Sequence, residues 1–288
     1  MFSHHVALNR IKRNIDLRGA NRVVLWTHLG LGDQISAARI VKSYLDSGAE
    51  VFWPVKKRNI RFMGAAFGTL EGLELIEIAD SPEHEWSEVK RISVASRAKI
   101  ATAGHRVLDP LRHAFPQLPL NSLFNLSVGM SPTDLIAPDL RVRLNAGEQY
   151  LSPGVPFAFV DHHPGTPREI PDSILSSIES RGLMVVHNPR GTELSTIMPL
   201  LDDAEEIHMV ASAPLCLALT IDANAKSRTH YDSVGDPIPG AYARWSSIKI
   251  SELERPGLSP SGIKASNTFR EKVAGLVAAT AKHSPRET

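Results

Sequence analysis

The feature that most constrains the fold of this chain is a regular alternation of short apolar runs with segments of helical periodicity. Strands that alternate with helices at this spacing form right-handed βαβ units on parallel sheets. The sequence therefore predicts an α/β fold. The predicted strands are Arg22–Thr27, Val51–Val55, Leu73–Ala79, Lys99–Ala103, Phe157–Val160, Leu183–His187, Glu206–Ala211 and Trp245–Ile250. The predicted helices are Ile35–Leu45, Ile60–Phe67, Trp86–Ala98, Ser173–Arg181, Glu193–Leu201, Leu215–Ala223 and Asn267–Lys282.

The alternation is interrupted once, which indicates two domains. Over 108–152 the pattern weakens and prolines become frequent, and Pro153–Pro156 (PGVP) then precedes a new strand. A length of 288 residues suits two domains of ordinary size. We expect two Rossmann-like domains, 1–152 and 153–288, that face each other across a cleft. The last helix is an element that could pack back on the N-terminal domain.

Composition narrows the class of protein. Acidic and basic residues nearly cancel, at 31 and 32, so we predict no nucleic-acid partner. The short basic run Lys56–Arg58 is expected to be a solvated turn. No apolar run approaches the ~20 residues that cross a membrane, and the single cysteine, Cys216, excludes an intrachain disulfide. We expect a cytoplasmic protein with no transmembrane segment, while its oligomeric state cannot be read from the sequence.

The first candidate site is the turn His28–Asp33 (HLGLGD), which follows the first strand. A parallel strand that runs through glycines into a helix directs backbone N–H groups and the positive helix end at an anion, most often a phosphate. Gly30 and Gly32 allow close approach because they have no Cβ. Asp33 is expected to cap the helix, to act as a general base, or both. The turn matches neither the dinucleotide fingerprint nor a Walker loop.

The second candidate site is Asp161–Gly165 (DHHPG), with Arg168 just beyond it, at the end of a predicted strand. Open α/β sheets place ligands at the carboxyl ends of their strands. His162 and His163 as donors, and the arginine as a planar fork, suit a diphosphate. The adjacent histidines also fit the metal site of a phosphoesterase, which needs further carboxylates. An exposed polar loop without function is the third reading.

The third candidate site is Glu205–His208 running into Ala211–Pro214. The predicted strand ends in small residues, and the proline is well placed to begin a helix. Open N–H groups beside Ser212 would form a second anion-binding end. Glu206 is expected to bind ribose or sugar hydroxyls. His208 alternates with apolar neighbours, so a purely structural role in the core stays equally open.

Four segments resemble one family. Trp26–Ile35 (WTHLGLGDQI) is similar to the N-terminal motif of glycosyltransferase-like proteins related to the heptosyltransferases of glycosyltransferase family 9. The similarity continues in the same order through Val51–Asn59 (VFWPVKKRN), Phe159–Arg168 (FVDHHPGTPR) and Ala204–Ser212 (AEEIHMVAS). The resemblance implies the GT-B architecture, with the N-terminal domain on the acceptor side and the C-terminal domain on the nucleotide-sugar side.

The resemblance also implies an enzyme, an inverting glycosyltransferase that moves a sugar from a nucleotide-diphosphate donor to an acceptor glycan, lipid or protein. Asp33 and His28 are the implied catalytic residues, with Asp33 as the base that deprotonates the acceptor hydroxyl. No metal or cofactor is expected, because Arg168 and helix dipoles oppose the charge of the leaving group. The implied ligand-binding residues are Gly30, Gly32, Gln34, His162, His163, Arg168, Glu206, His208 and Ser212.

Two other classes of protein stay open at this point. One is a metal-dependent phosphoesterase built on Asp161, His162 and His163, with His28 and Asp33 as its first motif. The other is a non-catalytic GT-B-like module that binds a glycan or nucleotide, or that scaffolds an assembly. Nucleotide binding, metal-stimulated hydrolysis and sugar turnover separate the three.

Overall fold

A computed structural model describes residues 2–27, 30–115, 118, 120–132, 138–144, 150–164, 166, 168–189, 193–232, 245–250 and 267–281. Contacts group these residues into two compact units. Unit 1 contains the described residues within 2–115, 120–132 and 267–281, and unit 2 contains residue 118 and the described residues within 138–250. Each unit contains one parallel β-sheet packed with helices, which confirms the α/β class.

Unit 1 is built on four parallel strands. The strands are β1 (Arg22–Trp26), β2 (Glu50–Lys56), β3 (Leu73–Ile78) and β4 (Lys99–Thr102), in the sheet order β3-β2-β1-β4. The helices are α1 (Phe2–Asp16), α2 (Leu31–Ser36), α3 (Ala38–Asp46), α4 (Ile60–Phe67), α5 (Pro82–Ser96), α6 (His105–Ala114) and α7 (Leu120–Ser127). The centre of β1 is fully buried, as its continuous apolar run predicts for a strand covered on both faces.

Unit 2 is built on five parallel strands. The strands are β5 (Phe157–Asp161), β6 (Met184–His187), β7 (Glu206–Val210), β8 (Ser227–Asp232) and β9 (Trp245–Lys249), in the sheet order β6-β5-β7-β8-β9. The helices are α8 (Pro138–Leu144), α9 (Asp172–Ser180), α10 (Met198–Asp203) and α11 (Ala213–Thr220). The chain leaves β5 toward β6 and then crosses back to β7 on the other side of β5. Such a reversal opens a crevice at the carboxyl ends of the two strands that flank it.

The last helix, α12 (Asn267–Ala281), belongs to unit 1, where it contacts α1 and α6. Helix α8 groups with unit 2, although it lies inside the range 1–152 expected for the N-terminal domain. Arg141 of α8 donates hydrogen bonds to the carbonyls of Ile221 (3.0 Å) and Asp222 (2.8 Å) at the end of α11. These bonds cap the carbonyl end of α11 with a positive charge.

Beside the short helices near the proline-rich stretch 108–152, the structure contains two elements that the sequence analysis does not predict, α1 and β8. Helix α1 has a narrow apolar stripe, in which Ala7 and Ile11 are buried, and the polar residues around it conceal the pattern. Strand β8 buries Arg228, His230 and Asp232, so it lacks the apolar alternation that identifies strands. The guanidinium of Arg228 is neutralised by the carboxylate of Asp222 at 2.7 Å.

Smaller differences concern breaks in helices and one buried charge. The helix predicted over 35–45 is interrupted at Ala37, and the one predicted over 193–201 begins as a short 3₁₀ turn before α10. Lys56 was expected on a solvated turn, yet its side chain is only 8% exposed and lies 2.5 Å from the carboxylate of Glu85. None of the helices in the described part of the chain combines the length and hydropathy needed to cross a bilayer.

Candidate functional site

The start of α2 in unit 1 contains the first predicted site. Gly30 is the N-cap of α2 in an extended conformation, and the Asp33 carboxylate accepts a hydrogen bond from the Gly30 N–H at 3.0 Å. Asp33 therefore caps its own helix, as the sequence predicts. Gly32 lies in the first turn of the helix, and His28 lies outside the described residues.

A buried polar framework fixes this helix start to β2. Gln34 is 4% exposed, and its amide donates to the Pro54 carbonyl at 3.3 Å and accepts from Asn59 at 3.0 Å. The indole N–H of Trp53 donates to the Thr27 hydroxyl at 3.1 Å. Gln34 was predicted to bind ligand, but the structure directs both ends of its amide to protein groups.

The second and third predicted sites meet at the carboxyl ends of β5 and β7. Asp161, the last residue of β5, is 4% exposed. Its two carboxylate oxygens accept hydrogen bonds from the Asn188 amide (2.8 Å) and from the Ser212 hydroxyl (2.5 Å). Three neighbouring strands, β6, β5 and β7, are thereby joined at one edge of the sheet. Among the residues that the structure describes, no group of three or more His, Cys, Asp or Glu is arranged to hold a metal.

His162 follows β5 with a defined protonation state. Its Nδ1 accepts a hydrogen bond from the backbone N–H of Ile170 at 3.2 Å. Because an accepting ring nitrogen carries no proton, the imidazole is neutral and its proton is on Nε2. The ring stacks on that of His187, with 5.3 Å between centroids. The ring of His162 is thus held in a fixed orientation at this edge of the sheet.

A compact loop brings Arg168 to β7. The N–H of His163 donates to the Arg168 carbonyl at 2.9 Å, while the Thr166 hydroxyl donates to the His163 carbonyl (2.7 Å) and accepts from the Arg168 N–H (3.1 Å). The exposed guanidinium then reaches the carbonyl of Ala211 at 3.3 Å. Sequence reasoning placed Arg168 near His162, and the structure adds its contact with the segment that precedes α11.

Ser212 is the N-cap of α11. Its backbone is extended, with φ −158° and ψ 171°, and its hydroxyl oxygen accepts from the Leu215 N–H at 3.2 Å. Pro214 in the first turn has no N–H, and the Leu215 N–H is bound to Ser212, so the other backbone N–H groups at this helix end are those just before Pro214. Four of the predicted residues lie together at this edge: His162, His163, Arg168 and Ser212.

Glu206 and His208 lie elsewhere. Glu206 begins β7, four residues before Val210 at its carboxyl end, which is about 13 Å along a strand. Glu206 accepts from Arg181, just after α9, at 2.5 Å and contacts Nε2 of His208 at 2.9 Å. The prediction grouped these residues with Ser212, whereas the structure separates them because the strand runs away from its first residue.

The hydrogen bonds of His208 form a directed chain. Its Nδ1 lies 2.9 Å from the Tyr231 hydroxyl, and its Nε2 lies 2.9 Å from the Glu206 carboxylate. Because burial lowers the pKa of His208, the ring is neutral and carries one proton, and because the pKa of Glu206 is lowered, its carboxylate only accepts. That proton is on Nε2, so Nδ1 accepts from the Tyr231 hydroxyl, whose pKa burial raises to about 12. Nε2–H therefore donates to Glu206.

The geometry of these hydrogen bonds accounts for the pKa values of His208 and Glu206. Burial lowers the pKa of His208, against the opposing effect of the Glu206 hydrogen bond. Burial alone would raise the pKa of Glu206, but the hydrogen bonds from His208 and Arg181 outweigh it and the pKa is lowered. These hydrogen bonds tie the end of α9 to the sheet through a neutral histidine and an ionised glutamate.

Asn188 is the residue of the site that sequence reasoning missed. It directly follows β6, and its backbone N–H also donates to the Val160 carbonyl at 2.8 Å. The available signal was its position, since an asparagine immediately after a predicted strand lies at the ligand-binding edge of an open sheet.

Comparison with known proteins gives structural matches only. The chain matches no protein-family model and no curated protein sequence. It is similar in structure to the glycosyl transferase family 9 protein from Veillonella parvula DSM 2008, with 10% identity, a TM-score of 0.49, and coverage of 90% of this chain and 98% of that one. It is also similar to E. coli heptosyltransferase WaaC, solved with ADP-2-deoxy-2-fluoro heptose, with 12% identity, a TM-score of 0.49, and coverage of 90% and 99%.

Proposed function

We propose that this protein is a glycosyltransferase that transfers a sugar from a nucleotide-diphosphate donor to a hydroxyl acceptor. The observation that carries the proposal is the convergence of the His162 ring, the Arg168 guanidinium and the start of α11 at the carboxyl ends of β5 and β7. Open α/β sheets bind phosphate-bearing ligands at such an edge, where the strand order reverses.

The donor side of the reaction is assigned to unit 2. The planar guanidinium of Arg168 suits the paired oxygens of a diphosphate, and Nε2–H of His162 supplies a neutral donor. As the glycosidic bond breaks, negative charge develops on the diphosphate oxygen that leaves. Arg168 and the positive end of α11 oppose that charge in this scheme, in the role that a metal ion has in other transferases.

The acceptor side is assigned to Asp33 of unit 1. The Asp33 carboxylate takes the proton of the acceptor hydroxyl while the acceptor's hydroxyl oxygen attacks the anomeric carbon of the sugar. The bond between that carbon and the diphosphate breaks at the same time. The products are an inverted glycoside on a glycan, lipid or protein and a nucleoside diphosphate. A base positioned in this way contributes about 10²–10⁴-fold to the rate.

Substitution of Asp33 by asparagine tests the role of Asp33 as a base without removing its role as a helix cap. Asparagine keeps an oxygen that accepts the Gly30 N–H, so the helix cap survives while the base is lost. After a screen of nucleotide-sugars for turnover, we expect Asp33→Asn to lower kcat by about 10²–10⁴-fold and to change the Kd of the nucleoside diphosphate by less than about twofold.

Two results would overturn the proposal. Calorimetry in which ADP, UDP, GDP and CDP all fail to bind would remove the donor assignment. Unchanged turnover in Asp33→Asn would remove the base assignment. Hydrolysis of a phosphodiester that manganese stimulates and that His162→Ala abolishes would favour the phosphoesterase instead. Binding of a nucleoside diphosphate with no turnover of any sugar donor would favour the non-catalytic module.

A further inference from the structure

A continuous chain of hydrogen bonds crosses the carboxyl ends of β6, β5 and β7. The backbone N–H of Asn188 is bound to Val160 at 2.8 Å, and its side-chain amide donates to Asp161 Oδ1 at 2.8 Å. The Ser212 hydroxyl donates to Asp161 Oδ2 at 2.5 Å, and the Leu215 N–H donates to the Ser212 oxygen at 3.2 Å. The chain therefore runs from the end of β6 to the first turn of α11.

The donors and acceptors of this chain fix its direction. An ionised carboxylate only accepts, so the Ser212 hydroxyl must be the donor to Asp161. The single hydroxyl proton of Ser212 is consumed by this bond, and one lone pair of its oxygen is consumed by Leu215. Ser212 is among the predicted ligand-binding residues, yet the structure uses its hydroxyl to bind protein groups, and Asp161 is only 4% exposed.

We propose that Asp161, held by Asn188, is a positioning residue that fixes the Ser212 cap and with it the ligand-facing start of α11. Asp161 orients Ser212, and Ser212 in turn holds the first turn of α11 beside Arg168. The nature of the ligand rests on the proposed function, whereas the positioning itself is a property of the ligand-free protein. Asp161 acts here through another residue.

Three variants separate positioning from simple structural loss. Asn188→Ala removes one donor at a half-buried position and leaves the rest of the chain in place. The double variant Asp161→Asn with Asn188→Asp exchanges the two groups. In it the amide introduced at position 161 donates to the carboxylate introduced at position 188, and the oxygen of that amide still accepts from Ser212. Ser212→Thr keeps the capping hydroxyl and serves as the matched control.

Two measurements are made on each full-length variant. Hydrogen exchange of the amides at Leu215 and Cys216, without ligand, reports the cap directly. Calorimetry with ADP, UDP, GDP and CDP reports the ligand site. We expect Asn188→Ala to speed exchange at these amides by about tenfold, the effect of one lost charge-assisted hydrogen bond. We expect it to weaken nucleoside diphosphate binding by a similar factor, and we expect the exchanged pair to restore both within about threefold.

Each outcome decides the inference. Unchanged amide exchange in Asn188→Ala would overturn it, as would an exchanged pair that behaves no better than Asn188→Ala alone. Faster exchange together with unaltered nucleotide affinity would show that the cap does not serve the ligand site, and this also overturns it. If no nucleotide binds the unmodified protein, the proposed function fails, and the exchange rates alone still confirm or overturn the positioning of α11.

Discussion

Replacement of Glu206 tests the assignment of this residue to the framework of unit 2. Glu206 and His208 were predicted to contact the nucleotide, whereas the structure uses them to tie α9 to β7 through Arg181. In Glu206→Ala the Nε2–H of His208 loses its acceptor, while Nδ1 still binds the Tyr231 hydroxyl. The change therefore leaves a buried donor unpaired and removes one partner of an ion pair.

The magnitude follows from the exposure of each partner. The His208 side chain is 8% exposed, so an unpaired N–H there costs about 1–3 kcal/mol. The Arg181 side chain is 46% exposed, and solvent screening limits its share to about 0.2–1 kcal/mol. We expect Glu206→Ala to lower the free energy of unfolding by about 2–3 kcal/mol. Glu206→Gln keeps a neutral acceptor and should cost about half as much.

Urea unfolding followed by far-UV circular dichroism measures the loss, and calorimetry with nucleoside diphosphates measures ligand binding in the same variants. Tyr231→Phe is the control, because it removes only the donor to Nδ1 and should cost about 1 kcal/mol. We expect binding to stay within about twofold wherever the protein is folded. A Glu206→Ala protein of unchanged stability that binds nucleotide at least tenfold more weakly would refute the framework assignment.

Three further perturbations have defined outcomes. The pKa values of His208 and Glu206 are both lowered in the folded protein, from ordinary values of 6.5 and 4.5. The contribution of each residue to stability is therefore present above its ordinary pKa and is lost as the pH falls below that value. Urea midpoints that rise on acidification from pH 7 to 5 would contradict this. Lys56→Met should destabilise unit 1 by about 3–5 kcal/mol because it strands a buried carboxylate, while Lys56→Met with Glu85→Leu should recover most of the loss, as thermal unfolding would show. Arg168→Ala should weaken nucleoside diphosphate binding by about 10–100-fold in calorimetry, with Arg97→Ala as the exposed control outside this site.

The sequence predicted those elements whose apolar pattern is complete. β1 and β5 are continuous apolar runs buried on both faces, and such runs leave few alternatives to a central parallel strand. β8 could not be found in the same way, because its burial of Arg228 and Asp232 depends on partners from other elements. A sequence pattern gives the polarity of each residue, whereas the partner that neutralises a buried charge can be identified only from the folded structure.

The candidate site shows the same division. The loop that carries His162 and Arg168 could be predicted, since a polar cluster after an apolar strand lies at a known edge of the sheet. The pairing of Asp161 with Asn188 and Ser212 could not be predicted, because it depends on which strands are neighbours. Glu206 was misplaced for a different reason: the predicted strand already begins at Glu206, and the first residue of a strand lies a strand length away from the carboxyl end at which ligands bind.

The position of α12 has a consequence for synthesis of the chain. The described strands of unit 1 all precede those of unit 2, yet α12, which follows them, also belongs to unit 1. Val273 of α12 is fully buried, and the helix contacts α1 and α6. Because the ribosome makes the chain from its N-terminal end, every described strand of unit 2 is synthesised before Asn267. Unit 2 can therefore finish folding first, while the part of unit 1 that is made earlier still lacks α12.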